Sequence, residues 1–181
     1  MSYFGVLVLA GVYAALNPAA QRALLDTVDS AFSPSGALGP LVRSYMDGQL
    51  LSAIGWTFVV NLVLGTLVML TLPSLVVPFG GLAIGLYRAL LWGLLFSPTP
   101  AAEASASLLA SVPLLLVEGE AYIVGLLGVW LWWYPVVTAP GNRWHNWKEG
   151  LRLQARIYPA VMLLLALAAV YEAALVIVVA R

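Results

Sequence analysis

Cysteine is absent from this chain, and charge is scarce. Without cysteine there is no disulfide framework, no thiolate metal site and no thiol nucleophile. Only 9% of the 181 residues are Asp, Glu, Lys or Arg, against about 25% in soluble domains. Eight basic residues balance eight acidic ones, so no basic surface offers itself to nucleic acid. Histidine occurs once, as His145. With Glu149 one turn on, it supplies two groups on an exposed connector, too few for a metal site. No Gly-rich loop followed by Lys-Ser/Thr is present, which excludes a P-loop NTPase. Ser107 and Ser111 have no base at a matching depth, so an intramembrane serine protease is not expected. Neither a metal nor a cofactor is expected, and nothing resembles a catalytic site.

What the chain has in abundance is apolar surface: 62% of its residues are hydrophobic, and its mean hydropathy is +0.97. A span needs about 20 mostly apolar residues. Residues 3–16, 50–72, 75–96, 108–134 and 158–179 supply five such runs, the first of them short. The expected fold is therefore all-α, a polytopic integral membrane bundle of about five transmembrane helices forming one membrane domain. No Lys or Arg precedes the first run, so it reads as retained rather than as a cleaved signal peptide. Asn17-Pro18 predicts a helix start, with the asparagine side chain as cap. Residues 18–32 then place Leu24, Leu25, Val28 and Phe32 on one face, with Arg22, Asp26 and Asp29 between them, which is an interfacial amphipathic helix. Pro73 is expected to end the second span and Ser97-Pro98-Thr99-Pro100 the third. No internal repeat supports an inverted-repeat transporter.

Residues 143–156 form the most basic stretch. Lys148, Arg152 and Arg156 fall four residues apart on one helical stripe, and Trp144 and Trp147 flank it, as aromatic residues do at headgroup depth. Arg22, Arg43 and Arg181 lie on the other side, diluted by Asp26, Asp29 and Asp47. Basic residues favour the cytoplasm, which places the N-terminus and fourth connector there, in a cell (plasma) membrane. The basic segment serves the lipid interface or docks a cytoplasmic partner.

Four ionisable residues fall inside the predicted spans: Arg88, Glu118, Glu120 and Glu172. Each costs roughly 2.5–3.5 kcal/mol at mid-helix unless it finds a partner, a wet cavity or a proton. Counting ~1.5 Å per residue from the side of the basic connector puts Arg88 and Glu172 near ~20 Å and Glu118 and Asn61 near ~15 Å. One polar layer built from four helices is expected. Gly81, Gly85, Ala89 and Gly93 make a small-residue stripe beside Arg88, while Glu118, Ala121, Gly125 and Gly128 line one face of the fourth span. Glu120 points about 200° away from Glu118, where it is either neutral or turned toward a different helix or the next subunit. Arg88 either pairs with an acid to fix helix register, or borders a polar cavity for an ion, lipid head group or small solute, or recognises a membrane partner.

These residues resemble the SpoIIM family, stage II sporulation protein M and its archaeal and bacterial relatives. The family's Phe-x-x-Asn is matched by Phe58-Val59-Val60-Asn61, and its glycine-rich third-span element by Gly80-Gly81-Leu82-Ala83-Ile84-Gly85. Its Pro-His-Gly-x-x-Glu signature keeps Pro113 and Glu118 but has Leu114 and Leu115 for His-Gly. Its Ile-Glu-Ala element corresponds to Tyr171-Glu172-Ala173. The resemblance implies five spans, Glu118 and Glu172 as the intramembrane acids, and a non-catalytic scaffold or complex subunit. A small transporter or channel component built on Arg88, Glu118 and Glu172 is the alternative, and a lipid-acting membrane enzyme a weaker third. The expected partners are the bilayer, a second copy in a dimer through a glycine-lined face, and a membrane or cytoplasmic protein.

Overall fold

Apolar runs of this length have no water to bond in a bilayer, so their backbone must satisfy itself within a helix. The computed structural model describes residues 2–97 and 105–179, and these are helical apart from short breaks. α1 (Ser2–Leu16) and α2 (Pro18–Ala31) meet in a 109° bend at Asn17. After α3 (Gly39–Met46) comes one long rod: α4 (Leu50–Val59), a π-helical stretch π1 (Val60–Thr71) and α5 (Leu72–Val76). Then follow α6 (Gly80–Leu95), α7 (Ser105–Thr138) and α8 (Arg143–Ala174), the last running into a short π-helix π2 (Leu175–Val179). Three rods, Leu50–Val76, Val112–Thr138 and Arg143–Ile177, are long and apolar enough to cross a membrane, or four counting the bent α1–α2 pair as one. The chain is an all-α membrane protein.

Several predicted boundaries move, each for a local reason. The second rod runs through Pro73 to Val76, the proline standing one residue after the winding changes from π to α at Leu72. The chain turns instead at Val77–Phe79, with Phe79 in the left-handed region (φ 59°). The third predicted span thus shortens to the 16 residues of α6, roughly 24 Å long against a hydrocarbon core of about 30 Å. The basic segment is not a separate helix. It is the start of α8, which continues through the exposed Pro159, leaving only residues 139–142 as a connector. Asn17 precedes α2, yet its side chain makes no cap and its Nδ2 donates to Tyr13 Oη at 3.1 Å. The cap that does form is Asn142, whose Oδ1 accepts from Trp144 N and His145 N at the start of α8. Pro98–Pro100, Arg181 and the side chains of Ser107 and Ser111 lie outside the described residues.

α7 and α8 form the central antiparallel pair, with Gly150 seated against Trp132 and Gly128 against Gln154. On α6 all four small residues, Gly81, Gly85, Ala89 and Gly93, are buried. Gly81 faces Leu70 O and Ser74, Gly85 faces Leu126, and Gly93 faces Leu7 O and Ala10. Gly125 lies against Leu70. All the glycines expected to line a dimer face are therefore occupied within the chain. α1 runs along α6 from the depth of Gly119, which Tyr3 and Phe4 cover, to that of Ser97, whose hydroxyl donates to Gly11 O at 2.8 Å. It spans only the half of the bundle toward Ser97.

A side chain at Gly93 would strike backbone. Gly93→Leu should destabilise by about 1–3 kcal/mol, whereas Gly55→Ala, at an open position, should be neutral or stabilising by about 0.5–1 kcal/mol. Denaturant titration in detergent micelles checks both, and equal stability of Gly93→Leu and the parent would refute the α1–α6 packing.

Candidate functional site

α6 delivers Arg88 from the half-turn beside its glycine stripe, so the guanidinium enters a space that two other helical segments, π1 and α7, can reach. Nη2 donates to Tyr122 Oη at 2.7 Å, to Glu118 Oε1 at 3.3 Å and to Asn61 Oδ1 at 3.4 Å. Tyr122 Oη also lies 3.0 Å from Glu118 Oε1 and 3.1 Å from Asn61 Oδ1, and donates its proton to one of them. The Arg88 and Glu118 side chains are 16% and 4% exposed, so the ion pair is shielded from solvent. The guanidinium carbon also stands 4.2 Å from the Tyr122 ring centre and 4.9 Å from that of Trp92, within cation–π range.

Arg88, Glu118 and Asn61 are thus brought together. Tyr122 joins them, although the sequence analysis did not name it. It sits four residues after Glu118, the spacing that places two side chains on one helix face. Gly65 of π1 makes room for it, since a methyl there would collide with the phenol.

Glu172 goes elsewhere. Its carboxyl bonds Tyr45, whose hydroxyl lies 2.7 Å from Thr57 Oγ1, so this acid ties α8 to α3 and α4. Burial first, then the Glu172 carboxylate, holds the Tyr45 phenol above its ordinary range. Glu120 is exposed on the outer side of α7. A third polar group lies further along π1: Thr71 bonds Tyr158, which also bonds Gln154.

At the start of α8, Trp144 and Trp147 stack with ring centres 5.0 Å apart, and Lys148 Nζ stands 5.0 Å over Trp144. Arg152 pairs with Glu149, and Lys148, Arg152 and Arg156 are exposed. His145 is exposed on the same turn, and no group of three or more metal-ligating side chains exists among the described residues.

No protein-family model matches this chain, and no curated protein or solved structure matches it.

The site does chemistry only as a lock: one cation on α6 shared among three acceptors from two other segments, π1 and α7. Breaking a buried pair by removing one partner costs about 3–5 kcal/mol, while replacing both with apolar groups can be close to neutral. Glu118→Leu and Arg88→Met should each lose stability of that order. The double variant should lose less than the sum, and Glu118→Gln, which keeps an acceptor oxygen, less than Glu118→Leu. A double-mutant cycle read by unfolding in micelles measures this; strict additivity would mean that the two side chains do not interact.

Proposed function

We propose that this chain is a non-catalytic, multi-pass component of a plasma-membrane complex, a scaffold of the kind its resemblance to the SpoIIM family implies. The observation that carries this reading is that the chain's own Arg88 and Tyr122 engage the central acid, Glu118. Glu118 Oε1 receives two hydrogen-bonding neighbours, and Arg88 Nη2 has three oxygen acceptors. Such a centre holds π1, α6 and α7 in register and leaves the carboxylate nothing to turn over. In this reading α4–π1–α5, α6, α7 and α8 cross the bilayer. α1 is a fifth apolar helix that enters to mid-depth, and α2 lies against the bundle on the side opposite the basic start of α8. That start faces the cytoplasm, where its stacked tryptophans sit at the headgroups and its basic stripe is open to a partner. A homodimer would use the lipid-facing surface, since the glycine faces are filled.

A small transporter or channel component is the second reading. It is favoured by Thr57, Asn61, Thr66, Thr71 and Ser74, which run along one rod with none of the five exposed.

Flux separates the two. Proteoliposomes of the purified chain should show no proton or ion flux above protein-free vesicles, and a partner should co-purify from native membranes in fixed ratio. Flux that disappears in Glu118→Gln or Glu172→Gln would replace the scaffold reading with the transporter. Topology is open to a clean test because the chain has no native cysteine. A thiol placed at exposed Ala139 should react with impermeant maleimide only from the cytoplasmic side, and one at exposed Ser35 only from the other. The reverse pattern would invert the orientation.

A further inference from the structure

The Arg88 guanidinium is only half engaged. Nη2 carries all three oxygen contacts, while Nη1 has a single neighbour, the Met69 thioether sulfur at 3.7 Å, a weak acceptor. Nε is buried with no hydrogen-bond partner among the described residues. A guanidinium has five donors, and in an apolar setting each idle one is costly. Beside Met69 a cleft of about 130 Å³ opens between α2, π1 and α6. Leu24 and Val28 of α2 form one wall, Ile84, Leu91 and Leu95 of α6 the other, with the Trp92 ring beside them. Among the described residues, Arg88 is the only charged one that lines it.

This combination is specific in chemistry. An apolar slot favours a hydrocarbon chain, and a single cation with an uncommitted donor favours an oxygen acid at its end. A carboxylate matches the planar guanidinium better than any other small head group with one charge. The volume admits a head and its first few methylenes, while the rest of a chain would remain in lipid. Water-soluble anions gain nothing from the leucine walls. A phosphodiester head group is too large for the slot and belongs at the bilayer surface, away from a residue near the midpoint of α6.

We infer that the α2–π1–α6 cleft is a binding site for a long-chain fatty acid, its carboxyl group held by Arg88 Nη1 and its chain laid between α2 and α6. The amphipathic helix α2 is then one wall of a lipid site as well as an interfacial anchor. Gln21, which donates to Leu95 O at 3.2 Å and Ser97 O at 2.9 Å, pins that wall to the end of α6. The inference does not depend on whether the chain is a scaffold or a transporter.

Native mass spectrometry of the detergent-solubilised full chain tests it, with palmitate as probe and hexadecane-1-ol and acetate as comparisons. Palmitate should bind once, saturably, and at least tenfold tighter than either the alcohol or acetate. Val28→Trp fills the cleft from α2 without touching the ion pair. It should abolish that binding while leaving the unfolding midpoint close to the parent's. Arg88→Lys keeps the charge but loses the fork and should weaken binding severalfold. Equal binding of palmitate and the alcohol, or undiminished palmitate binding in a folded Val28→Trp, would overturn the proposal. Acetate binding as tight as palmitate would overturn it too, showing a site for small anions rather than lipid.

Discussion

A guanidinium cannot be left alone among leucines. Burying Arg88 sets the terms for everything near it, because each acceptor it needs must come from a neighbouring segment and each segment must come close. Closeness is what the small residues supply. Gly81 lets the rod containing π1 approach α6, Gly85 admits Leu126 of α7, and Gly93 admits the backbone of α1. Gly65, on the far side of the cation, admits the Tyr122 ring, and through it the hydroxyl that links Asn61, Glu118 and Arg88. Glycine packing and the ion pair are one device: the first brings backbones within reach, and the second makes that separation the favoured one.

The winding of π1 belongs to the same device. In an α-helix, residues five apart point about 140° away from each other, so Asn61, Thr66 and Thr71 would scatter around the rod. A π-helix closes its turns on i→i+5 bonds and keeps such residues near one side. The side chains show this spacing, with Thr66 Oγ1 donating to Asn61 O at 3.2 Å and Thr71 Oγ1 to Thr66 O at 3.3 Å. Thr66 is wholly buried, and Thr71 reaches Tyr158 of α8. π-Helical turns are rare and concentrate at functional sites. Here one turns three polar residues inward, so that a rod with exposed apolar side chains on its other side carries polar groups into the bundle.

How much of this could be read from the residues alone differs from place to place. The Arg88–Glu118 contact follows from depth counting plus the glycine faces, since the third and fourth spans carried a clear small-residue pattern, while Asn61 was placed by depth alone. Glu172 shows where that reasoning stops. Depth along a helix axis was all the count supplied, and α8 turns this acid toward α3 and α4 rather than toward α6. Its partner Tyr45 lies in a connector, where no periodicity flags a side chain as the partner of a buried acid. Tyr122 was within reach, at i+4 from Glu118, but an aromatic residue in an apolar run carries no signal of its own. The half-length course of α1 and the single long α8 were hidden for opposite reasons. Hydropathy cannot tell a short helix that stops at mid-depth from one that crosses. A proline inside a basic, aromatic stretch looks like a break even when packing carries the helix through it.

Leu114 bears on what kind of centre this is. It stands four residues before Glu118 and therefore on the same face of α7. A histidine there would give the acid a second titratable neighbour along the helix, as a proton relay requires. In this chain the position is apolar and 7% exposed. Among the described residues, polar neighbours then reach Glu118 only from the side of Tyr122 and Arg88, where both are already engaged with it. An acid approached from one side by donors that its own fold supplies is an end point rather than a relay step. That asymmetry, more than the presence of buried charge, is why the centre reads as a clamp, and why any ligand has to be sought at the other guanidinium nitrogen, Nη1, which meets Met69 where both residues line the cleft.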